Sequence, residues 1–325
     1  MYGSWSRVPS PPPALVIHPM DLEADSRTAG GSGSLLPFGA GRTYGDTCLN
    51  PGGTIVHTRG LDGVLAFDAA QGLVRCEAGA TLDRVLRRTV AGGWVVAACP
   101  GTAQVTIGGA VAHDVHGKNQ ARSGTLGCWV ESLTLLRSDG TRLRCSSGEN
   151  SDLFGATIGG LGLTGVILDV ELRLARLATT SLEVERRRCD RLEEALALVR
   201  TTDEYEFGLV WVDTLRAGGG RFIVLRAREA AADGPQELSY GTARRGIPWS
   251  RFVPAAAFRR STMRVFNRVY ARGGARPLPD VSVSHTPLQS FLFPQDTLHP
   301  TNHLYGARGV RAHHCLLPRN ADPMD

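Results

Sequence analysis

The pattern of hydrophobic and polar positions changes character near residue 180. Before that point, short runs of β-branched and apolar residues lie between glycine-rich connections, which predicts strands, and an amphipathic helix is expected to begin after Thr81. Alternation on both sides of Asp139-Gly140 predicts a β-hairpin over Val130 to Arg144. A long alternating strand is expected from Val166 to Leu177.

Beyond residue 180 the pattern predicts an amphipathic helix with Asp190 as its N-cap. Two strands then flank a turn at Gly218 to Gly220, and a weakly helical stretch covers Ala255 to Tyr270. The sequence therefore predicts an α+β fold of two domains, with the boundary between residues 1–179 and 180–325.

Composition narrows the functional classes. The chain has 325 residues, 42% hydrophobic and 21% charged, and no apolar run long enough to cross a bilayer. The net charge of +5 fits a phosphate-bearing ligand or an anionic membrane surface, whereas no aromatic-interleaved basic stripe indicates nucleic acid. Seven cysteines without CxxC spacing indicate reduced thiols, and no secretory signal is visible at the N-terminus.

Two glycine-rich loops, Pro37 to Cys48 and Cys99 to Asn119, carry the candidate chemistry. Glycine at this density lets backbone amides approach an anionic group closely, so we expect one ligand to contact both loops. The second loop also holds an ionisable cluster, His113, Asp114, His116 and Lys118. An H-x-x-H without a further ligand is weak support for a metal, so no metal site is expected.

A third group of glycines, Gly160, Gly162 and Gly165, has the G-x-G-x-x-G spacing of a dinucleotide-binding turn. That fingerprint should open a helix, whereas the residues that follow alternate like a strand. We therefore expect a tight helix-to-strand turn packed beside a ligand. No G-x-S-x-G occurs, and three histidines near the C-terminus are expected at the surface or in structural roles: His303, His313 and His314.

The segments "GAGRTYGD", "PGTAQVTIGGAVAHDVHGKN" and "LFGATIGGLGLTGVI" resemble the flavin-binding half of the vanillyl-alcohol oxidase superfamily. Within it, the sequence is most similar to the actinobacterial decaprenylphosphoryl-β-D-ribose 2'-epimerase oxidase subunits. The resemblance implies a PCMH-type FAD-binding domain of two α+β subdomains in residues 1–179. It also implies that residues 180–325 form a substrate domain with an antiparallel sheet.

The resemblance also assigns residues to the cofactor. The pyrophosphate and ribityl region would contact Gly39, Ala40, Gly41, Arg42, Thr43, Tyr44, Gly45, Asp46 and Thr47. The flavin would contact Gly101, Thr106, Ile107, Gly108, Gly109, His113, Asp114, Val115, His116 and, through its backbone, Ile167. Because Thr43 and Tyr44 stand where covalent members place a histidine, the FAD is predicted to be non-covalent.

A resemblance of this kind implies oxidation of the ribose 2'-hydroxyl of a polyprenylphosphoryl-ribose to a 2-keto sugar. A separate NADH-dependent keto-reductase would complete epimerisation to the arabinose donor for cell-wall arabinan. Lys118 would bind the substrate or its phosphate, His116 would position flavin or substrate, and Tyr44 would pack beside the ring. The implied location is cytoplasmic or peripherally membrane-associated, with the periplasmic face left open.

Two other functions stay open: another FAD-linked sugar or alditol oxidase that uses oxygen, and a non-catalytic flavin-binding protein. Relatives continue past the point where this sequence stops, so the substrate domain is expected to be incomplete, with weaker FAD retention and low turnover. Leu292 stands where a tyrosine is usual. Substrate contacts of relatives correspond to Ala312 and His314, and Cys315 is not their active-site cysteine.

Overall fold

The computed structural model describes residues 2–24, 33–200, 204–216, 220–231, 238–241, 259–273 and 279–297. The sequence predictions for the turn before Gly220 and for the start of the helical stretch at Ala255 fall wholly or partly outside these ranges. So do those for His303, Ala312, His313, His314 and Cys315. Among the described helices, none has both the length and the apolar character that a bilayer span requires.

A small parallel sheet begins the fold. It consists of β1 (Leu15–Ile17), β2 (Leu35–Phe38) and β3 (Thr54–His57), in the order β1-β3-β2, with helix α1 (Pro19–Ala24) after the first strand. Strand β3 is buried because it lies between the other two, and Val56 packs with Leu22 of α1 in a small apolar cluster. The short apolar and β-branched runs around Leu15 and Thr54 thus form strands, as this pattern predicts.

The second sheet is antiparallel and has the order β4-β5-β9-β7-β8. Its strands are β4 (Val64–Asp68), β5 (Leu73–Glu77), β7 (Val130–Leu136), β8 (Arg142–Ser146) and β9 (Val166–Arg173). Strands β7 and β8 form the predicted hairpin, with Gly140 in the left-handed region at a φ of 85°. The predicted strand ending at Leu177 is interrupted at Leu174, and its remainder is β10 (Ala175–Arg176).

Helix α2 (Leu82–Thr89) lies against this sheet and confirms the prediction from the helical spacing. The Thr81 hydroxyl accepts a hydrogen bond from the Arg84 amide at 3.3 Å, which is an N-cap interaction. Val85 and Leu86 are fully buried. After the helix, β6 (Trp94–Val95) pairs with β10 over two residues.

Three short helices follow: α3 (Ile107–Ala112), α4 (Gln120–Ser123) and α5 (Ser151–Thr157). The middle of the second glycine-rich loop is therefore helical, whereas the sequence predicted a continuous loop. Glycine is a poor helix former, but Gly108 is selected here by packing. A Cβ at this position would lie 2.7 Å from the Cβ of Ala78, so only glycine lets α3 approach the strand so closely.

A new antiparallel sheet begins at Ser181, and we call it the substrate sheet; its order is β12-β13-β11-β14. Its strands are β11 (Ser181–Cys189), β12 (Phe207–Val212), β13 (Phe222–Glu229) and β14 (Val281–Pro287). Helix α6 (Leu192–Arg200) covers one face. The Asp190 carboxylate instead accepts a hydrogen bond from Arg216 at 2.8 Å, and the helix begins two residues later, so the predicted capping role is wrong.

Helices α7 (Arg260–Ala271), α8 (Leu288–Leu292) and α9 (Pro294–Thr297) complete the described fold. Residues of the substrate sheet and of α8, including Val184, Phe207 and Phe291, pack in the same apolar core as Val74 and Ile107 of the first half. The domain division near residue 180 stays a prediction. What the structure describes is one core that joins both sets of strands.

Candidate functional site

The first glycine-rich loop leaves the small parallel sheet at Phe38 and turns sharply at Gly41, where φ is 62°. A Cβ at Gly41 would lie 2.6 Å from the carbonyl oxygen of Gly3, so no other residue fits without movement. The loop is held from the N-terminal segment, because the Trp5 amide donates to the Thr43 carbonyl at 3.0 Å. The Trp5 ring also meets the Tyr44 ring edge-on at 4.9 Å.

The second glycine-rich segment touches the first directly. A Cβ at Gly39 would overlap the buried side chain of Thr106, the residue that precedes α3. The amides of Ile107 and Gly108 donate to carbonyl oxygens of Ala80 and Ala78, each at 2.8 Å, which fixes α3 against the five-stranded sheet. The two loops that the sequence predicted to share one ligand are thus in contact.

The turn from α5 to β9 joins them. Leu161 donates its amide to the Ala112 carbonyl at 2.8 Å, and a Cβ at Gly162 would lie 3.1 Å from Pro37 Cδ. This turn leads into strand β9, so the dinucleotide fingerprint is excluded, as the sequence predicted. We call residues 39–47, 106–109 and 159–162 the glycine cradle.

His113 lies at the C-terminal end of α3 and bridges two of these segments. Its Nδ1 is 3.0 Å from the Gly109 carbonyl oxygen, which can only accept, so Nδ1 carries the proton. Its Nε2 is then free to accept from the Thr47 hydroxyl, 3.4 Å away. Both side chains are exposed at the cradle, where the sequence placed them.

The side chains of Asp114 and His116 lie in different surroundings. Asp114 has a φ of 43°, and its carboxylate accepts a 2.8 Å hydrogen bond from the Gly127 amide, which fixes the turn before β7. His116 pairs through its backbone with Thr125 and exposes its ring. Among the described residues, no group of three or more His, Cys, Asp or Glu side chains is placed to hold a metal ion.

Lys118 is the only lysine in the chain and lies between the two halves of the fold. Its ammonium donates to the Leu292 carbonyl at 2.6 Å and lies 5.8 Å from the centre of the Phe291 ring. Burial lowers the pKa of Lys118 to about 8, since desolvation disfavours the charged form. Its own carbonyl accepts from the Gly208 amide of β12 at 2.8 Å, so the substrate sheet holds the backbone of this residue and α8 holds its ammonium.

Asn119 and Glu206 form a buried polar contact that the sequence did not reveal as a pair. The Asn119 amide donates to the Ala97 carbonyl at 2.7 Å and to the Ser123 hydroxyl at 3.1 Å, and it also hydrogen-bonds the Glu206 carboxyl. Burial, and then the nearby Glu229 carboxylate, raise the pKa of Glu206 above its ordinary value. Only the position of Asn119 directly after Lys118 could have drawn attention to it.

Two residues of α9 complete the site and were also missed. Gln295 donates to the Tyr44 hydroxyl at 2.7 Å, and the Asp296 carboxylate accepts from the Ala103 amide at 2.9 Å and from the Thr102 hydroxyl. Asp296 also faces Arg42. Burial lowers the pKa of the Arg42 guanidinium, and the negative charge of Asp296 offsets part of that decrease. A signal existed, because both residues lie in the segment "FLFPQD" that carries part of the family resemblance.

Other predicted residues occupy less central positions. Ile167 is buried in β9, in the interior of the five-stranded sheet, and packs in the main core. Gly101 lies beside Gln295, whose Nε2 would be 2.9 Å from a Cβ at this glycine. The cofactor contacts assigned to these and the other site residues stay predictions.

The cradle fits an anionic dinucleotide cofactor. The amides of Gly41, Gly45 and Asp46 make no backbone hydrogen bond to any described residue, so they can donate to phosphate oxygens. The space around a Cβ at Gly45 is open for 4 Å, and Arg42 supplies a partly buried positive charge. Residues 25–146 match the family model described as "FAD binding domain", and with the relatives given next this identifies the protein as an FAD-binding oxidoreductase.

The chain belongs to the family of decaprenylphosphoryl-β-D-ribose oxidase, within the vanillyl-alcohol oxidase superfamily. It is 30% identical to the Mycolicibacterium smegmatis protein of that name over 98% of this chain and 71% of that protein. An uncharacterized Streptomyces coelicolor protein is 36% identical over 54% of this chain and 47% of its own length. L-gulonolactone oxidase of Mus musculus is 32% identical over 42% of this chain and 30% of that enzyme.

Proposed function

We propose that this protein uses non-covalently bound FAD to oxidise the ribose 2'-hydroxyl of a polyprenylphosphoryl-ribose to the 2-keto sugar. When bound, FAD supplies the hydride acceptor for such an oxidation. The relative whose alignment extends over both halves of the chain is named as a decaprenylphosphoryl-β-D-ribose oxidase, which supports a lipid-linked ribose as substrate. The proposed product is the substrate of an NADH-dependent keto-reductase partner.

The position of Lys118 is the observation that carries this proposal. It is a partly buried amine between the glycine cradle and the substrate sheet, and no carboxylate of the described residues forms an ion pair with it. Its polar contact is the neutral Leu292 carbonyl. A substrate phosphate would supply the negative charge that no described residue places beside Lys118. An ammonium that is partly removed from water gains most from an anionic partner.

His116 and Tyr44 are proposed to position the reacting groups. The His116 ring is exposed two residues before Lys118, so it can meet flavin or substrate from the same loop. The Tyr44 ring is fixed between Trp5 and Gln295, an arrangement that suits a side chain packing beside a flat ring system.

Anaerobic flavin reduction tests the proposed substrate. FAD-loaded protein is mixed with polyprenylphosphoryl-ribose, and loss of the oxidised-flavin absorption band is followed. Trapping with borodeuteride should place deuterium at C2 and give both ribo and arabino sugars. Bleaching by a soluble alditol, followed by peroxide release when oxygen is admitted and reoxidises the flavin, and no bleaching by the lipid-linked ribose, would instead assign the alditol-oxidase function, towards which the partial match to L-gulonolactone oxidase points.

The non-covalent mode has its own test. Acid precipitation of the loaded protein should leave all of the flavin in the supernatant, because the first loop offers no histidine between Gly39 and Thr47. Yellow flavin that remained in the pellet would overturn this part of the proposal, and peptide mapping would then locate the linkage.

A further inference from the structure

Helix α7 presents its apolar side to solvent. Val265, Phe266, Val269 and Tyr270 are 59%, 55%, 45% and 41% exposed, whereas the buried residues of this helix are Asn267 and Ala271. A helix on a protein surface ordinarily buries its apolar stripe. We call these four exposed residues the α7 face.

The inverted orientation is fixed by buried polar contacts. Asn267 donates to the Asp213 carboxylate at 2.6 Å, and both side chains are buried. Arg186 of the substrate sheet donates to the Ala271 carbonyl at 2.5 Å at the end of the helix. Rotating α7 to bury its valines would break the Asn267 bond and leave a buried carboxylate without it, which is costly. The apolar residues are therefore held outward.

Arginines lie beside the α7 face. Arg264, Arg268 and Arg272 follow one another at intervals of four residues, so they form a stripe along one side of the helix, and Arg260–Ala271 contains no acidic residue. At the end of the helix a cavity of about 230 Å³ is lined by Ala271 and by Arg272, Arg188, Arg216, Arg221 and Asp190. Asp190 pairs with Arg216 and Asp280 pairs with Arg188, so the four arginines exceed these two carboxylates by two positive charges.

The face lies on the side of the substrate sheet that leads to Lys118. Strand β12 begins beside Lys118, whose carbonyl accepts from Gly208, and three residues later Trp211 contacts the Tyr270 ring at a centroid distance of 4.8 Å. Three residues of extended strand span roughly 10 Å. A group bound at the α7 face is thus within reach of the candidate site.

We propose that the α7 face docks on an anionic phospholipid bilayer, with the valines and aromatic rings in the acyl boundary and the arginines on lipid phosphates. Exposed apolar residues flanked by a basic stripe on one helix are typical of helices that lie in a membrane interface. Arginine also pairs with phosphate in a bidentate geometry, which suits the cavity at the end of the helix. The docking does not depend on the reaction; only its role in presenting a lipid-linked substrate rests on the proposed function.

Vesicle co-sedimentation of the full chain tests the docking. We expect binding to phosphatidylcholine vesicles containing phosphatidylglycerol, weak binding to phosphatidylcholine alone, and release by salt. The double substitution Val265→Ser and Val269→Ser should lower the partition coefficient by about tenfold, since each valine loses its burial in the acyl boundary. Arg264→Gln with Arg268→Gln should abolish the preference for anionic vesicles.

Matched controls separate the loss of docking at α7 from the effect of removing any exposed apolar side chain or arginine. Met20→Ser removes a more exposed apolar side chain on α1, and Arg144→Gln removes an exposed arginine on β8; neither should change vesicle binding. Circular dichroism melting confirms that each variant is folded. Reduction of the flavin by a short-chain, water-soluble substrate analogue, measured without vesicles, reports on the proposed function independently.

Two outcomes would overturn the docking proposal. The first is equal binding by the valine double variant and the unsubstituted chain. The second is a concentration-dependent dimer in sedimentation velocity that Phe266→Ser dissociates, with no binding to vesicles, because a second copy would then cover the face. Vesicle binding without flavin reduction would leave the docking intact and contradict the proposed function instead.

Discussion

Gln295 donates a 2.7 Å hydrogen bond to the hydroxyl of Tyr44, a residue 251 positions earlier in the chain. The next residue, Asp296, binds the start of the second glycine-rich segment through the Ala103 amide. Helix α9 therefore contacts both glycine-rich loops, Pro37 to Cys48 and Cys99 to Asn119. The FAD-binding model ends at residue 146, so part of the machinery that shapes the cradle lies outside it.

Substitution of Gln295 by alanine should weaken FAD binding. Loss of one neutral hydrogen bond costs about 1 kcal/mol, so a roughly fivefold rise in the FAD dissociation constant is expected. Flavin fluorescence quenching measures it. The control is Gln71→Ala, at an exposed turn after β4. An unchanged constant in the Gln295 variant would show that Tyr44 is positioned without α9.

The contact between the two loops predicts a difference between a glycine inside the cradle and one outside it. Gly39→Ala should reduce FAD retention severely, because the new Cβ would overlap the Thr106 side chain and separate the loops. Gly148→Ala, in an exposed turn after β8, is the matched control: no heavy atom lies within 4 Å of its Cβ position. The ratio of flavin to protein after gel filtration measures retention, and equal retention in both variants would contradict the proposed packing.

Activity should fall as the pH rises through about 8 if Lys118 binds the substrate phosphate as an ammonium. The pKa of Lys118 is lowered to about 8, so the cation is lost at a mildly alkaline pH. The plot of kcat/KM against pH should fall through about pH 8. Lys118→Arg should move this fall to higher pH, because arginine keeps its charge. Lys118→Met should raise KM. A rise in kcat/KM through the same range would mean that the neutral amine is the active form.

The uniqueness of Lys118 allows a chemical test without substitution. An amine-directed acylating reagent can modify this side chain and the N-terminal amine but no other lysine. Labelling of the peptide that contains Lys118 should increase through about pH 8, and a polyprenyl phosphate should protect it. Mass spectrometry measures the extent of labelling, with the N-terminal peptide as the internal reference. If the polyprenyl phosphate did not change the labelling of Lys118, the phosphate would bind at another site.

Glu206→Gln should stabilise the protein at neutral pH. The pKa of Glu206 is raised in the folded state, so the folded protein binds a proton more tightly than the unfolded chain. Stability from this group is therefore present at low pH and is lost as the pH rises above the ordinary glutamate pKa. Glutamine keeps a neutral partner for Asn119. Thermal melting should show a higher Tm for this variant at pH 7 and no such gain for Glu204→Gln, at an exposed position two residues earlier.

Sequence patterns over a few residues predicted those helices, strands and turns that are stabilised by interactions between residues close together in the chain. The α2 helix, the β7-β8 hairpin and the strand after Gly165 follow from spacing, an N-cap threonine and a turn dipeptide. Helix α3 was not predicted, since its two glycines disfavour a helix, and the close approach to Ala78 that requires Gly108 is a tertiary contact. The N-cap at Asp190 was wrong because Arg216, a distant residue, binds that carboxylate.

The residues of the candidate site could likewise be predicted only where the sequence itself carries a local pattern. The residues of the two glycine-rich loops could be named from composition and resemblance, and Gly39 does meet Thr106. Glu206 could not be named in this way, and the resemblance around Gln295 and Asp296 did not single them out, because each reaches the site only through tertiary contacts. Polar residues that complete a site from a second element carry no local pattern that distinguishes them from surface residues.

The apolar core shared by the two halves has a consequence for how the chain is made. Ile107 and Val74 pack in one cluster with Phe291 and Phe293, and the bond from Lys118 to Leu292 spans 174 positions. Contacts of such long range form slowly, since the chain between them must first be closed into a loop. During synthesis, the apolar residues that pack against α8 and Phe293 would thus stay uncovered until this segment has left the ribosome, and uncovered apolar surface of this kind promotes aggregation.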